Sequence, residues 1–117
     1  MLMLKAGVRL KGLVPQMSLA ATVVAGVYRD FGVRECTITS GNDSTHSPRS
    51  LHHCREGKYT DEQCRALDFR THQDELNGHE QLLRNEVKQR LGIDFDVVIE
   101  AIGTSNEHLH VEYDPKG

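Results

Sequence analysis

The chain has 117 residues, a net charge of −3 with its histidines counted as neutral, and no tryptophan. This length accommodates one domain with a core of its own. The slightly acidic balance, without a basic stripe, argues against general nucleic-acid affinity, and no apolar run approaches the roughly 20 residues that span a bilayer.

The N-terminal segment does not resemble a signal peptide. Its first apolar run is interrupted by Lys5, Arg9 and Lys11, and the later run over 18–28 follows a proline without a basic flank. Neither pattern is typical of an export signal. We therefore expect a protein that is made in the cytoplasm without an export signal of its own.

The first half of the chain predicts one helix and one strand. Apolar residues recur at helical spacing from Ala20 to Phe31, which predicts a helix over 16–31. The alternating, β-branched stretch 33–39 predicts a strand. Residues 40–50 are dense in Gly, Asn, Asp, Ser and Pro and predict a loop.

The second half continues with strands on either side of a second helix. The predicted helix begins between Asp74 and Gly78 and ends at Leu91, where Gly92 is a natural C-cap. The remaining predicted elements are a short strand over 65–70, a strand over 94–102, a turn over 103–107, a last strand over 108–113 and a frayed tail over 114–117.

This order of elements predicts the fold class. Helix, strand, strand, helix, strand, strand is typical of an α+β protein. We expect a single domain over 1–117, with a mainly antiparallel sheet and helices packed on one face.

The three cysteines leave two redox states open. Cys54 and Cys64 could form a disulfide across a loop, which would leave Cys36 single. In a reducing compartment, three thiols are the expected state.

Histidines and one aspartate form the most informative pattern. His108 and His110 are two residues apart in the last predicted strand, so both imidazoles project from the same face of the sheet. Asp68 lies in another predicted strand, and His46, His52 and His53 lie in the central loop. Each piece alone is typical of a solvated surface, but an imidazole pair and a carboxylate from separate elements could together bind a metal.

Three motifs resemble a family of zinc peptidases. The stretches "ITSGNDSTHSPRSLHH", "RALDFR" and "EHLHVEYD" are similar to D-Ala-D-Ala carboxypeptidases, phage L-alanyl-D-glutamate endolysins and the zinc domain of hedgehog proteins. The family pattern is Ser-x-His-x-x-Gly-x-Ala-x-Asp, followed near the C-terminus by Glu-x-x-His. The matching residues are Ser50, His52, Ala66, Asp68, Glu107 and His110.

The resemblance implies a catalytic zinc site. His52, Asp68 and His110 would be the ligands, with a fourth position open for water. Bound Zn²⁺ would lower the pKa of that water and polarise the scissile carbonyl. Glu107 would be the general base, and His108 would stand beside the metal and stabilise the oxyanion.

One geometric condition accompanies the role of Glu107. It precedes His110 by three residues, and a regular strand would place the two on opposite faces. The chain must therefore turn or bulge at 105–107, where Ser105 and Asn106 are suitable turn residues.

The chain departs from the family pattern between the first two ligands. Fifteen residues separate His52 from Asp68, more than the pattern has, so 54–63 is interpreted as an insertion at the rim of the cleft. His53 is the alternative to His52 as a ligand, and a thiol from Cys54 or Cys64 is a further one.

The substrate-binding residues are less well defined. Many relatives carry an arginine after "SG" that pairs with a substrate carboxylate, and this chain has none there. The expected substrate-binding residues are Arg49, His46 and Ser50, with Ser50 holding a ligand by a hydrogen bond. Arg65 and Arg70 are alternatives for bidentate pairing with the substrate.

The function implied by the resemblance is hydrolysis of peptide bonds in peptidoglycan stem peptides. The expected protein is a monomeric phage or prophage lysin that remains in the host cytoplasm until release, or a virion-associated hydrolase. The alternative is a non-catalytic, zinc-stabilised binding or virion structural module.

Overall fold

The computed structural model describes residues 1–41 and 64–116. These residues form five strands, two α-helices and one short 3₁₀ helix. In chain order the elements are β1 (Leu2–Leu4), α1 (Pro15–Asp30), β2 (Cys36–Ser40), β3 (Ala66–Arg70), the 3₁₀ helix (Asp74–Leu76), α2 (Glu80–Leu91), β4 (Phe95–Glu100) and β5 (His108–Tyr113).

Helix α1 forms where the apolar periodicity predicts it. Pro15 lies in its first turn, where the missing N–H costs nothing. Its buried face includes Ala20, Val24 and Val27. The helix ends because Gly32 adopts a left-handed φ of 86°, which glycine tolerates without strain.

The second helix begins later than the sequence predicts. Asp74–Leu76 forms only a 3₁₀ turn, and α2 begins at Glu80. Between them Gly78 has a φ of 82°, a left-handed conformation that interrupts a right-handed helix. The end of α2 at Leu91 before Gly92 agrees with the prediction.

The strands form one mixed sheet in the order β1-β2-β3-β5-β4. β2–β3, β3–β5 and β5–β4 pair antiparallel, whereas β1 pairs with β2 in parallel. The predicted α+β class with a mainly antiparallel sheet is confirmed. Strand β1 was not predicted, because its three residues are partly exposed and belong to a run broken by basic residues.

The two faces of the sheet have different chemistry. Odd-numbered residues of β3 and β5, such as Leu67, Phe69, Leu109 and Val111, are fully buried in the core with both helices. Since side chains alternate along a strand, the even-numbered residues project from the opposite face. The helices therefore cover one face, as predicted, and the polar residues of β3 and β5 occupy the other.

Tyr28 ties α1 to the end of β3. Its buried hydroxyl donates a hydrogen bond to the carbonyl oxygen of Arg70 at 2.7 Å. Burial, together with Cys36 and Glu107, raises the pKa of Tyr28 well above its ordinary value, so the hydroxyl keeps the proton that it donates.

The described residues on either side of 42–63 make defined backbone contacts. Strand β2 shifts register between Ile38 and Ser40, and Ser40 lies opposite Asp68. The N–H of Cys64 donates to the carbonyl of Gly12 at 2.7 Å, and the carbonyl of Cys64 accepts from the N–H of Val14 at 3.1 Å.

Cys36 and Cys64 are both thiols and both buried. Burial raises the pKa of Cys36 to about 12, and the Cys64 thiol donates to the carbonyl of Ala66 at 3.4 Å. Cys54 and the predicted insertion over 54–63 lie outside the described residues.

Residues 114–116 contact β4 and the residue before it, in the segment 114–117 where the sequence predicts a frayed tail. The N–H of Asp114 donates to the carbonyl of Asp94 at 2.8 Å. Lys116 donates to the carboxylates of Asp96 and Asp114 at 3.0–3.2 Å. These opposite charges supply contacts that the composition of the tail does not reveal.

No helix among the described residues has the length and apolarity needed to cross a bilayer.

Substitution of Gly41 should destabilise the fold. A Cβ at this position would lie 2.6 Å from the carbonyl oxygen of Arg9, so the backbone of Gly41→Ala must shift. We expect a loss of about 1–3 kcal/mol in the free energy of unfolding, measured by urea denaturation.

Gly26→Ala in α1 is the matched control. No atom lies within 4 Å of its Cβ position, so the helix should gain about 0.5–1 kcal/mol. Equal effects of the two substitutions would contradict the close approach at Gly41.

Candidate metal centre

Strand pairing brings the polar residues of three strands together on the face opposite the helices. Asp68 of β3 lies directly across from His110 of β5. Two residues before His110 in β5, His108 lies between Arg70 of β3 and Glu100 of β4. Directly opposite residues on one face have Cβ atoms about 5 Å apart, which is within reach of a shared ion.

Asp68 contacts both imidazoles of β5. Its Oδ1 lies 2.8 Å from His110 Nδ1, and its Oδ2 lies 3.6 Å from His108 Nε2. The side chains of Asp68 and His110 are only 15% and 11% exposed. Asp68 and His110 are two of the three ligands that the sequence predicts, and they are 42 residues apart in the chain.

Glu100 completes the group and is not among the site residues that the sequence predicts. Its Oε1 lies 2.9 Å from His108 Nε2 and 3.6 Å from His110 Nδ1. In the sequence, Glu100 is marked only by its position in the predicted strand over 94–102. That position indicates a ligand only when β4 is known to pair with β5, and the motifs do not predict this strand order.

In each imidazole, one ring nitrogen lies within hydrogen-bonding distance of an acceptor other than Asp68 and Glu100. His108 Nδ1 lies 2.7 Å from the carbonyl oxygen of Asn106, and His110 Nε2 lies 2.6 Å from Glu112 Oε1. The other ring nitrogen of each histidine therefore faces Asp68 and Glu100. We call Asp68, Glu100, His108 and His110 the metal group.

The carboxylates also change the protonation of the imidazoles. Burial alone would lower the pKa of His110, but its hydrogen bonds to Asp68 and Glu112 outweigh burial and raise the pKa to about 10. The pKa of His108 is raised as well, because the Asn106 carbonyl, Asp68 and Glu100 outweigh desolvation. The metal group thus attracts positive charge, either as protons or as a cation.

The donor set suits a divalent transition metal. Ligand atoms of Asp68, Glu100 and His108 all lie within 4.8 Å of one another, and His110 Nδ1 contacts two of these three residues. Two ligands of a tetrahedral zinc ion at about 2.05 Å are about 3.3 Å apart. The observed separations of 2.8–3.6 Å therefore require only small side-chain adjustments.

A second acidic group near the tail already contains a cation. Asp96, Glu112 and Asp114 also bring oxygen atoms within 4.8 Å of one another. The ammonium group of Lys116 bridges Asp96 and Asp114. This internal ion pairing accounts for the cluster without a metal.

Glu107 does not join the metal group. The expected turn is present, since the N–H of Glu107 donates to the carbonyl of Thr104 at 3.1 Å. However, its carboxylate accepts hydrogen bonds from the Thr71 hydroxyl at 2.8 Å and the Gly103 N–H at 3.4 Å. The buried Thr71 thus holds this carboxylate at the end of the sheet, and the role of Glu107 as a base stays a prediction.

A cavity of about 440 Å³ adjoins the metal group through His108. Glu107, Lys5, Arg70 and His72 are among its lining residues. Within 1–41 and 64–116, neither Lys5 nor Arg70 forms an ion pair. The cavity therefore presents cationic side chains beside the candidate ligands.

The remaining predicted site residues lie in different places. Arg65, an alternative substrate anchor, lies over the ring of Tyr113 at 5.6 Å from its centre, whereas Arg70 lines the cavity. The residues Arg49, His46, Ser50, His52 and His53 lie outside the described part of the chain.

Comparisons with known proteins add no further information about this site. No family model, curated protein or solved structure matches the chain. Functional interpretation therefore depends on the geometry of the metal group and on the motifs.

The raised pKa of His110 predicts how the stability of the metal-free protein depends on pH. The ordinary histidine pKa is 6.5 and the folded value is about 10. The stabilisation from protonated His110 is therefore fully present below about pH 6.5 and is lost as pH rises through about 10. Urea unfolding in the presence of a chelator should show this loss.

His110→Gln is the comparison that isolates this contribution. The difference in unfolding free energy between wild type and variant should shrink as the pH is raised from about 6.5 to 10. A difference that is constant or grows over this range would contradict the assignment.

Proposed function

We propose that the protein is a zinc-dependent peptidase that hydrolyses peptide bonds in peptidoglycan stem peptides. The proposed substrate bond is of the D,D-carboxypeptidase or L-alanyl-D-glutamate endopeptidase type. The proposed biological role is that of a phage or prophage lysin.

One observation carries this proposal. Asp68 and His110, which the motifs single out as ligands, are in direct contact at 2.8 Å although they are distant in sequence. Two further donor residues lie beside this pair, since His108 is 3.6 Å from Asp68 and Glu100 is 3.6 Å from His110. A mixed nitrogen and oxygen donor set at one point is typical of a catalytic zinc site.

In the proposed site, Asp68 and His110 bind zinc together with His52. Bound zinc would supply Lewis acidity and a water of lowered pKa. His108 and Glu100 lie close enough to complete or support the coordination, since each contacts a proposed ligand within 3.6 Å. His108 would otherwise face the oxyanion, as the resemblance implies.

We assign the general base to Glu107, which lines the same cavity as His108. To accept a proton from water, its carboxylate must exchange the hydrogen bond from Thr71. Apo structures often hold catalytic groups in arrangements that tighten only with substrate. Glu100 is the alternative base, because it already contacts His108 at 2.9 Å.

The cavity beside the metal group supports a peptide substrate with a free carboxylate. Lys5 and Arg70 line it, and a guanidinium group can bind a carboxylate through two parallel hydrogen bonds. Of the arginines proposed from the sequence as anchors, Arg70 is the described one beside His108. We therefore favour it over Arg65.

The placement of Glu107 also favours a second candidate function. A carboxylate hydrogen-bonded to Thr71 and Gly103 contributes to the fold without acting on water. A non-catalytic, zinc-stabilised binding or virion module would need the metal group but no base.

Zinc content and digestion of muropeptides test the two functions together. We expect about one zinc per chain in the wild type, loss of this zinc in His110→Ala, and peptide release detected by mass spectrometry. Glu107→Gln should retain zinc and lose about 10²–10⁴-fold in rate, because a general base contributes that much. Glu100→Gln should weaken zinc binding instead.

Glu86→Gln is the matched control, because within the described part of the chain this carboxylate pairs only with Arg90, on the surface of α2. Its rate and zinc content should equal those of the wild type. A wild type that binds zinc but releases no peptide from any muropeptide would establish the non-catalytic module. An unchanged rate in Glu107→Gln would exclude Glu107 as the base.

A further inference from the structure

We propose that Glu112 is a positioning residue that fixes the tautomer of His110, so that Nδ1 of this imidazole faces the metal. The inference deepens the proposed function, because it assumes that the metal group binds zinc. It assigns a role to a carboxylate to which neither the family pattern nor the proposed ligand set gives one.

The contact between Glu112 and His110 is short and sheltered. Glu112 Oε1 lies 2.6 Å from His110 Nε2, and the two side chains are 20% and 11% exposed. The residues are two apart in β5, so both project from the face that carries the metal group. A charge-assisted hydrogen bond of this length is stronger than a neutral one.

This contact decides which nitrogen is available to a metal. A neutral imidazole has one protonated nitrogen and one lone pair. Without metal, both ring nitrogens face carboxylates, Nε2 that of Glu112 at 2.6 Å and Nδ1 that of Asp68 at 2.8 Å. Zinc bound to Asp68 would replace the proton on Nδ1, whereas Nε2 would keep its proton by donating to Glu112. The opposite tautomer would direct the lone pair of Nε2 towards the Glu112 carboxylate, which has no proton to donate.

His108 shows the same arrangement with a different acceptor. Its Nδ1 lies 2.7 Å from the Asn106 carbonyl, and its Nε2 faces Glu100 and Asp68. In both imidazoles, one nitrogen is hydrogen-bonded to an acceptor outside the metal group and the other faces Asp68 and Glu100. The acceptor of His110 is the charged Glu112, whereas that of His108 is a neutral carbonyl. A carboxylate acceptor makes the ligating nitrogen more basic than a carbonyl does.

The surroundings of Glu112 leave it available for this role. Across β4, Asp96 is its register partner, but Lys116 draws Asp96 and Asp114 into ion pairs of their own. On the β3 side its partner is Ala66, whose small side chain makes no polar contact. Among the described residues, the hydrogen bond and the ion pair of the Glu112 carboxylate are both with His110.

Two substitutions at Glu112 separate positioning from general structure. Glu112→Met removes the acceptor and should weaken zinc binding about 10–100-fold, as outer partners of metal ligands typically do. Glu112→Gln keeps an oxygen that can accept from Nε2–H, so it should restore most of the affinity. Zinc affinity is measured by competition with a chelator, which does not depend on catalysis.

A spectroscopic measurement reads the tautomer directly. Nitrogen-15 NMR of the histidine rings in the zinc-loaded wild type should show His110 with a protonated Nε2 and a metal-bound Nδ1. The matched control is Asp96→Asn, which removes a neighbouring negative charge that contacts Lys116 and not His110. Its zinc affinity should change less than about threefold, within what loss of one screened surface charge produces.

Several outcomes would overturn the inference. Unchanged zinc affinity in Glu112→Met, or a metal-bound Nε2 in the wild type, would each do so. If Glu112→Met does not fold, the NMR assignment in the wild type and the affinity of Glu112→Gln decide. Zinc binding without peptidase activity would refute only the proposed reaction, whereas a wild type that binds no zinc would refute both proposals.

Discussion

The register between β3 and β5 is the constraint on which the candidate site depends. It places Asp68 opposite His110 and, through β4, His108 opposite Glu100. The same register sends Leu67, Phe69, Leu109 and Val111 into the core. A shift of one residue would bury the charged side chains and expose the apolar ones, so the hydrophobic core itself specifies the alignment of the metal group.

The electrostatics of the group explain why it suits a cation. Asp68, Glu100 and Glu112 surround two imidazoles, and each carboxylate lies within 2.9 Å of a ring nitrogen. Without metal, this negative charge is balanced by protons on the imidazoles, which accounts for the raised pKa of His110. A divalent ion would compete with those protons for the same lone pairs. The same carboxylates therefore favour both proton binding and metal binding at the imidazoles.

The sequence predicts local structure well and spatial neighbours only in part. The apolar period of α1 and the alternation of β5 identify both elements, and the motifs select Asp68 and His110. Glu100 could not be found this way, because its role depends on β5 lying between β3 and β4. The placement of Glu107 was also not predictable, since Thr71 competes for its carboxylate through a contact 36 residues away. Strand β1 carries too short a pattern to predict, and its parallel pairing with β2 is set by tertiary structure.

The most direct measurement is an anomalous difference map at the zinc edge from crystals of zinc-loaded protein. We expect one peak on the sheet face opposite the helices, within about 2.3 Å of a carboxylate oxygen of Asp68 and of Nδ1 of His110. A peak between Asp96 and Asp114, or the absence of any peak near Asp68 and His110, would show that the metal group does not bind zinc.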